Sequence, residues 1–285
     1  MKAPRMERGV RSHQYALLVK DFPTEESQTR AIVMRYLTFE KFVSLLELEA
    51  MWFSRLGALQ DKYECTNPQG ARAKVLALAK SREVVEKRLP PGMLDYLLKA
   101  TDQGRGESGR QMGAVNCWFL GQDESEKMWS EYGQEGKGVA IRSTVRRLAS
   151  SFQITGDYAL VSAVGRIHYV DFESHEMDAY DANNLLRVSF IKDKSYASEQ
   201  EVRIVTLNSL HSGCLNANGH AVAERQPVFD PNGKGFYVKC RLQELIQAVI
   251  VGPNVQPHFF TLVKRLVNRY RLFVEVEPSK LSAKR

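Results

Sequence analysis

The sequence predicts an α+β fold, with a mixed or antiparallel sheet core and flanking helices. Three observations carry that expectation. Strand-length runs rich in β-branched and aromatic residues recur along the chain, and the helical patterns between them are short. In addition, 44% of the 285 residues are apolar, enough to bury a real core. No internal repeat or long low-complexity linker interrupts the pattern. Residues 1–285 therefore read as a single domain, with a flexible loop near 102–113 (DQGRGESGRQMG).

Taken in order, 15–22 (YALLVKDF) and 32–37 (IVMRYL) read as strands. Thr38 is placed to cap the next helix, in which Phe39, Phe42, Leu45 and Leu46 recur at helical spacing, and 51–56 (MWFSRL) is the following strand. Residues 70–100 pattern as two helices broken by Pro90-Pro91. Past the loop, 115–120 (VNCWFL) is a strand. Asp123 and Glu126 then have capping-box spacing before a short helix carrying Met128, Trp129 and Tyr132, which Gly133, Gly136 and Gly138 end. A strand at 138–144 (GVAIRST), a helix over VRRLASSF and an alternating strand at 165–172 (GRIHYVDF) come next. Further strands are predicted at 199–206, 235–239 and 247–251. Pro257 opens the helix PHFFTLVKRLVNRYR, and LFVEVE (272–277) is the closing strand.

Composition bounds function. The formal net charge is +7, with pI near 9.2, and the excess gathers in 70–113 and in a C-terminal group running from Lys264 to Arg285. Such an imbalance favours polyanions, although no RNA-recognition, helix-turn-helix or zinc-finger signature accompanies it. The four cysteines are scattered without a Cys-x-x-Cys pair, which suits reduced thiols in a cytosol. No run approaches the roughly 18 apolar residues of a membrane helix, and the start lacks an export signal, so the expectation is a soluble cytoplasmic protein. His211, Cys214 and His220 are too loosely spaced for a metal site. No GxSxG, HExxH or Cys-His nucleophile pair stands out, and Gly133-Gln-Glu-Gly136-Lys-Gly138 is not a nucleotide fingerprint.

The candidate chemistry begins with YASEQEVRIV (196–205). Glu199, Glu201 and Arg203 fall at every second position, which puts them on one face of a strand. Two readings stay open: a solvent face whose charges pair with neighbours at ~0.2–1 kcal/mol each, or the wall of a site. Arg35 lies just ahead of a helix N-terminus, where guanidinium and backbone N–H groups can hold a phosphate or carboxylate. It reads equally as a surface arginine. Trp118, Trp129 and Tyr132 can wall a pocket for a flat ring, or anchor the core.

These pieces have an order. RYLTFEKFVSLLELEAMWFSRLGALQDKYE, NCWFLGQDESEKMWSEYGQEGKGVAI, GRIHYVDF, FIKDKSYASEQEVRIV and LIQAVIVGP together resemble the bacterial domain-of-unknown-function 2971 family across nearly the whole chain. Cys117-Trp118, Glu124-Ser125, Met128-Trp129, Tyr132, Gly138 and the Glu199-x-Glu201-x-Arg203 run are the most specific pieces. Two positions depart from the family's pattern: Phe119 replaces a small polar residue or histidine, and Ser198 stands where histidine often precedes the first glutamate.

More distantly, a strand bearing Arg35, a helix, a strand containing Ser54 and a late Glu-x-Glu strand look like the outline of ADP-ribosyltransferases. That resemblance implies NAD as substrate, held by Arg35 with Tyr36, Ser54, Trp118, Trp129, Tyr132 and Arg203. It implies that Glu201 engages the nicotinamide ribose and that Glu199 orients or deprotonates an acceptor. The acceptor expected is a nucleic acid, which the basic charge favours, a protein side chain or, in an NAD glycohydrolase, water; the context expected is a toxin or anti-phage effector, with no metal. A non-catalytic module binding nucleic acid or protein and a metal-independent nuclease are the competing expectations.

Overall fold

The computed structural model describes residues 30–61, 63–74, 113–152, 161–177, 185–207, 214–215 and 233–284. Several expectations lie outside these residues: the strand at 15–22, the helices about Pro90-Pro91, nearly all of the loop near 102–113, and His211 and His220. Within them the fold is α+β. Ten strands form one mixed sheet and two more pair beside it.

β1 (Ile32–Thr38) passes directly into α1 (Phe39–Leu48), because the Thr38 hydroxyl leaves the strand to accept from the Lys41 N–H. Phe42, Leu45 and Leu46 then face the core, as their spacing predicts. Glu49, at φ 46°, turns the chain into β2 (Ala50–Arg55). In β2, Met51 and Phe53 enter the main apolar core, which leaves Trp52 and Ser54 on the opposite face.

β3 (Gly113–Leu120) is the hub of the sheet. Along one edge it pairs with β8 (Glu201–Leu207) from Gly113 to Phe119. The other edge is shared by two strands: β1 pairs only at Phe119 and Leu120, and β2 only at Ala114 and Val115. Between those contacts β1 and β2 diverge, and Asn116–Trp118 faces a gap. Side chains bridge it. The Asn116 amide donates to the Trp52 carbonyl at 2.7 Å, and Trp118 Nε1 donates to Asn116 Oδ1 at 2.6 Å.

α2 (Glu126–Tyr132) is capped by Ser125, whose Oγ accepts from the Met128 N–H, and not by Asp123 as the capping-box spacing predicts. The reason is tertiary: the Tyr36 hydroxyl accepts from the Ser125 N–H at 2.9 Å and sets where the helix starts. The glycines after α2 also find their purpose. A Cβ at Gly133, Gly138 or Gly252 would come within 2.8–3.1 Å of the Trp129 ring, so the three make its seat.

β4 (Gly138–Thr144) pairs with β1 over seven residues, and Thr144 caps α3 (Val145–Ser150). The strand predicted at 165–172 is in fact two. β5 (Val161–Arg166) pairs with β8, and β6 (His168–Val170) leaves the sheet to run parallel to β7 (Ile191–Asp193), which comes after α4 (Leu185–Val188). Ile167 makes the break, donating to the carbonyl of Glu201 where β8 begins. The strand predicted from 199 likewise starts only at Glu201. Residues Lys194–Glu199 form a 3-10 turn capped by Asp193, and Gln200 at φ 41° ends it.

Beyond β9 (Cys214–Leu215), β10 (Gly235–Lys239) pairs with β2. α5 (Leu242–Leu245) leads to β11 (Ala248–Val251), and α6 (Pro257–Arg269) buries Phe259, Val263 and Val267. β12 (Glu275–Pro278) pairs parallel with β11, starting later than the predicted 272 because Arg271, at φ 53°, turns the chain after α6.

Candidate functional site

Where β1 and β2 part, the structure holds a cavity of about 950 Å³, at the upper end of the roughly 300–1,000 Å³ common for small-molecule sites. Its floor is the face of the sheet turned away from the main core. Trp52 and Ser54 on β2, Cys117 on β3, Glu201 and Arg203 on β8 and Tyr237 on β10 all line it.

Glu201 and Arg203 are not surface charges. The Arg203 side chain is fully buried, and its Nε and Nη2 grip Glu201 side-on at 2.7 and 3.0 Å. Nη1 donates to Glu64 and to the Ser189 carbonyl, so both carboxylates and one backbone oxygen converge on a single guanidinium. Lys192 on β7 joins from the side, donating to Glu201 Oε2 at 2.9 Å and to Glu199 Oε2 at 2.6 Å. Glu199 thus reaches the cluster from the 3-10 turn, not from the strand face on which its spacing puts it.

The electrostatics reflect this wiring. Burial alone would raise the Glu201 carboxyl, but Arg203 and Lys192 outweigh it and hold the group far below the usual carboxylate range. Burial likewise opposes the charge on Lys192, and Glu201 and Glu199 overcome it, so its pKa is raised. Glu199 is the exception among these carboxylates. Its burial, only partly offset by Lys192, raises its pKa. Tyr132, beside it, is pushed to about 12 by burial and by the Glu199 charge.

Arg35 stands across β3 from this cluster. Its Nη1 donates to the Cys117 carbonyl at 3.0 Å, in the stretch where β3 has no strand partner on that edge. Burial lowers its pKa, with only partial relief from Cys117, Glu201 and Tyr132. Among the described residues it forms no ion pair.

The remaining predicted residues divide. Ser54 and the exposed Tyr132 line the cavity. Tyr36 is buried, packs edge-on against Trp129 and Phe119, and spends its hydroxyl on the Ser125 N–H. Trp118, 2% exposed, touches the cavity but belongs to the main core. Trp129 lies in the second apolar cluster, its Nε1 donating to Glu124. The flat-ring wall built from Trp118 and Trp129 is therefore corrected: both rings are buried in apolar clusters and anchor the core, with Trp118 only touching the cavity. Phe119 packs in the second cluster, and the exposed Ser198 accepts from Lys127.

Sequence reasoning missed Glu64, Lys192, Tyr196, Trp52 and Tyr237. Trp52 was legible, since it sits two residues before Ser54 on a strand. Glu64 and Lys192 carry no signal of their own: Glu64 meets Arg203 across 139 residues, and Lys192 meets Glu199 and Glu201 only because the 3-10 turn folds the chain back after β7. No group of three or more His, Cys, Asp or Glu residues suited to a metal occurs among the described residues. No helix among them is long and apolar enough to cross a membrane.

A family model described as a protein of unknown function (DUF2971) matches residues 128–204. That span takes in Tyr132, Lys192, Glu199, Glu201 and Arg203 and stops short of Arg35, Ser54 and Glu64. The likeness therefore covers one stretch of the site, less than the nearly whole-chain extent expected from the order of the motifs. No curated protein matches the chain.

Proposed function

We propose that the cleft binds NAD and that the protein cleaves its nicotinamide–ribose bond, passing ADP-ribose to a macromolecular acceptor. Arg35 is the observation that carries this reading. A desolvated guanidinium costs free energy unless an anion meets it, and a pyrophosphate is an anion that a planar fork of N–H donors fits.

The carboxylates divide the chemistry. As the C1′–N bond breaks, its electron pair leaves with nicotinamide and the ribose carbon takes on positive charge. Glu201, fixed by Arg203 and Lys192, contributes stationary negative charge at the cleft floor. Glu199 is half-buried with a raised pKa, which suits a base that takes the acceptor's proton as its nucleophile bonds to C1′. Glu201 is too deeply wired to serve in that second role.

The test is nicotinamide release from NAD by the purified full-length protein, with and without RNA, DNA and cell lysate. Glu199→Gln is expected to lower release by roughly 100-fold or more. Arg35→Ala is expected to abolish thermal protection by NAD, since a ligand that binds only the folded state raises its apparent stability. Absence of both release and NAD protection in the wild type would overturn the proposal.

A further inference from the structure

The part of the cleft over β2 and β10 has no role in that reading. There Trp52 lies directly opposite Tyr237, and both half-buried side chains line the cavity. Their rings meet edge to face, with centroids 4.9 Å apart and planes at 69°. The indole extends over Gly235, where an added Cβ would come within 2.6 Å of the ring. Only a glycine at that position lets Trp52 lie down across β10. Trp52 Nε1 donates to Ser54 Oγ at 3.1 Å, so the polar edge of the indole is already satisfied within its own strand. What Trp52 can still offer a ligand is π surface.

We infer that Trp52 and Tyr237 form a stacking subsite for a purine base, at the opposite side of the cleft from the Glu199–Lys192–Glu201 cluster. The inference rests on the function proposed above, and names where the adenine ring of the dinucleotide is held. The sheet supplies the spacing. β3 lies between β2 and β8, so Trp52 and the carboxylate cluster stand at least about two strand spacings, roughly 10 Å, apart, because β2 pairs with β3 only at Ser54 and Arg55. A base on Trp52 and a reacting ribose at Glu199 would then bracket Arg35, which donates into the gap beside β3. A base stacked on an aromatic side chain is recognised by its flat face, which a purine presents over the largest area.

The protein carries its own reporter. It has three tryptophans, of which Trp118 and Trp129 are 2% and 6% exposed inside apolar clusters. Trp52, half-buried, is the most open of the three, while Trp118 only touches the cavity. Fluorescence titration with AMP is expected to quench its emission, and ribose 5-phosphate, which keeps the sugar and phosphate but lacks the base, is expected not to. Trp52→Leu should weaken AMP binding about 5- to 100-fold by calorimetry.

AMP binding that leaves the emission unchanged, or that survives Trp52→Leu at full affinity in a folded variant, would overturn the subsite while leaving nicotinamide release intact. Equal quenching by ribose 5-phosphate would overturn it too. Quenching by AMP in a protein that releases no nicotinamide would support the subsite and sink the NAD-cleaving function instead.

Discussion

Arg203 and Arg35 line one cleft from strands on either side of β3, and the fold treats them oppositely. Arg203 donates to Glu201, Glu64 and the Ser189 carbonyl, and these carboxylates raise its pKa well above normal despite burial. The Cys117 carbonyl is the acceptor for Arg35, whose pKa burial lowers. The same side chain thus serves two ends. Where the fold supplies the counter-charges, the arginine holds the sheet to its neighbours; Arg35 has a carbonyl as its hydrogen-bond partner, and Glu201 relieves its burial only in part.

The sharpest way to break that comparison is Arg203→Met. It strands Glu64 in a buried site without its cation and leaves Glu201 with Lys192 alone, and stability to denaturant should fall by about 3–5 kcal/mol. A loss below about 1 kcal/mol would mean that the cluster is not structural.

Acid should act next. A carboxyl whose folded pKa is depressed contributes stability that is present above its unfolded value, about 4.3, and is lost as pH falls toward the folded one. Wild-type stability should therefore drop below about pH 4 by more than that of Glu201→Gln, in denaturation curves taken across the range. Glu199 has the opposite sign. Its raised pKa means that protonation is easier in the folded state, and its carbon-13 titration midpoint should lie above that of an ordinary glutamate.

Arg142 sharpens the comparison from outside the cleft. It also grips a glutamate with two N–H groups, donating end-on from Nη2 and Nη1 to Glu277 at 2.6 and 3.1 Å, but both side chains stay about one-fifth exposed. Arg142→Ala should cost no more than about 1 kcal/mol, because water re-solvates the partner left behind. Arg35→Ala should be comparably mild in thermal melts, about 1 kcal/mol or less, since it leaves no carboxylate without a partner and removes one hydrogen bond to the Cys117 carbonyl. Its effect belongs in NAD binding.

Much of the fold was legible because it is local. Thr38, Phe42, Leu45 and Leu46 specify a capped helix with one apolar stripe, and the strand periods at 32–37, 115–120, 138–144 and 235–239 set up most of the sheet. The misses have a common cause. Asp123 lost the cap to Ser125 because Tyr36, 89 residues away, holds the Ser125 N–H. Every second position from Glu199 to Arg203 looked like one strand, but Gln200 adopts a left-handed conformation and detaches Glu199 from β8. In VNCWFL the residues on both faces are largely covered, so alternation could not tell Trp118 in the core from Cys117 in the cleft.

Local sequence was thus enough for most of the main elements, the Thr38 cap, the α+β class and the presence of Glu201, Arg203, Arg35 and Tyr132 as candidates, while Ser54 came only from the resemblance. Those are consequences of near neighbours, whose backbone preferences and side-chain periods act within a few residues. Long-range packing set the split of the sheet at β3, the closure of Glu64 onto Arg203 across 139 residues, and the place of Trp52 over Gly235. Those depend on charge and shape brought together only when distant strands pair. Burial, absent from the unfolded chain, then turns an ordinary glutamate and arginine into a fixed cluster and lowers the pKa of Arg35.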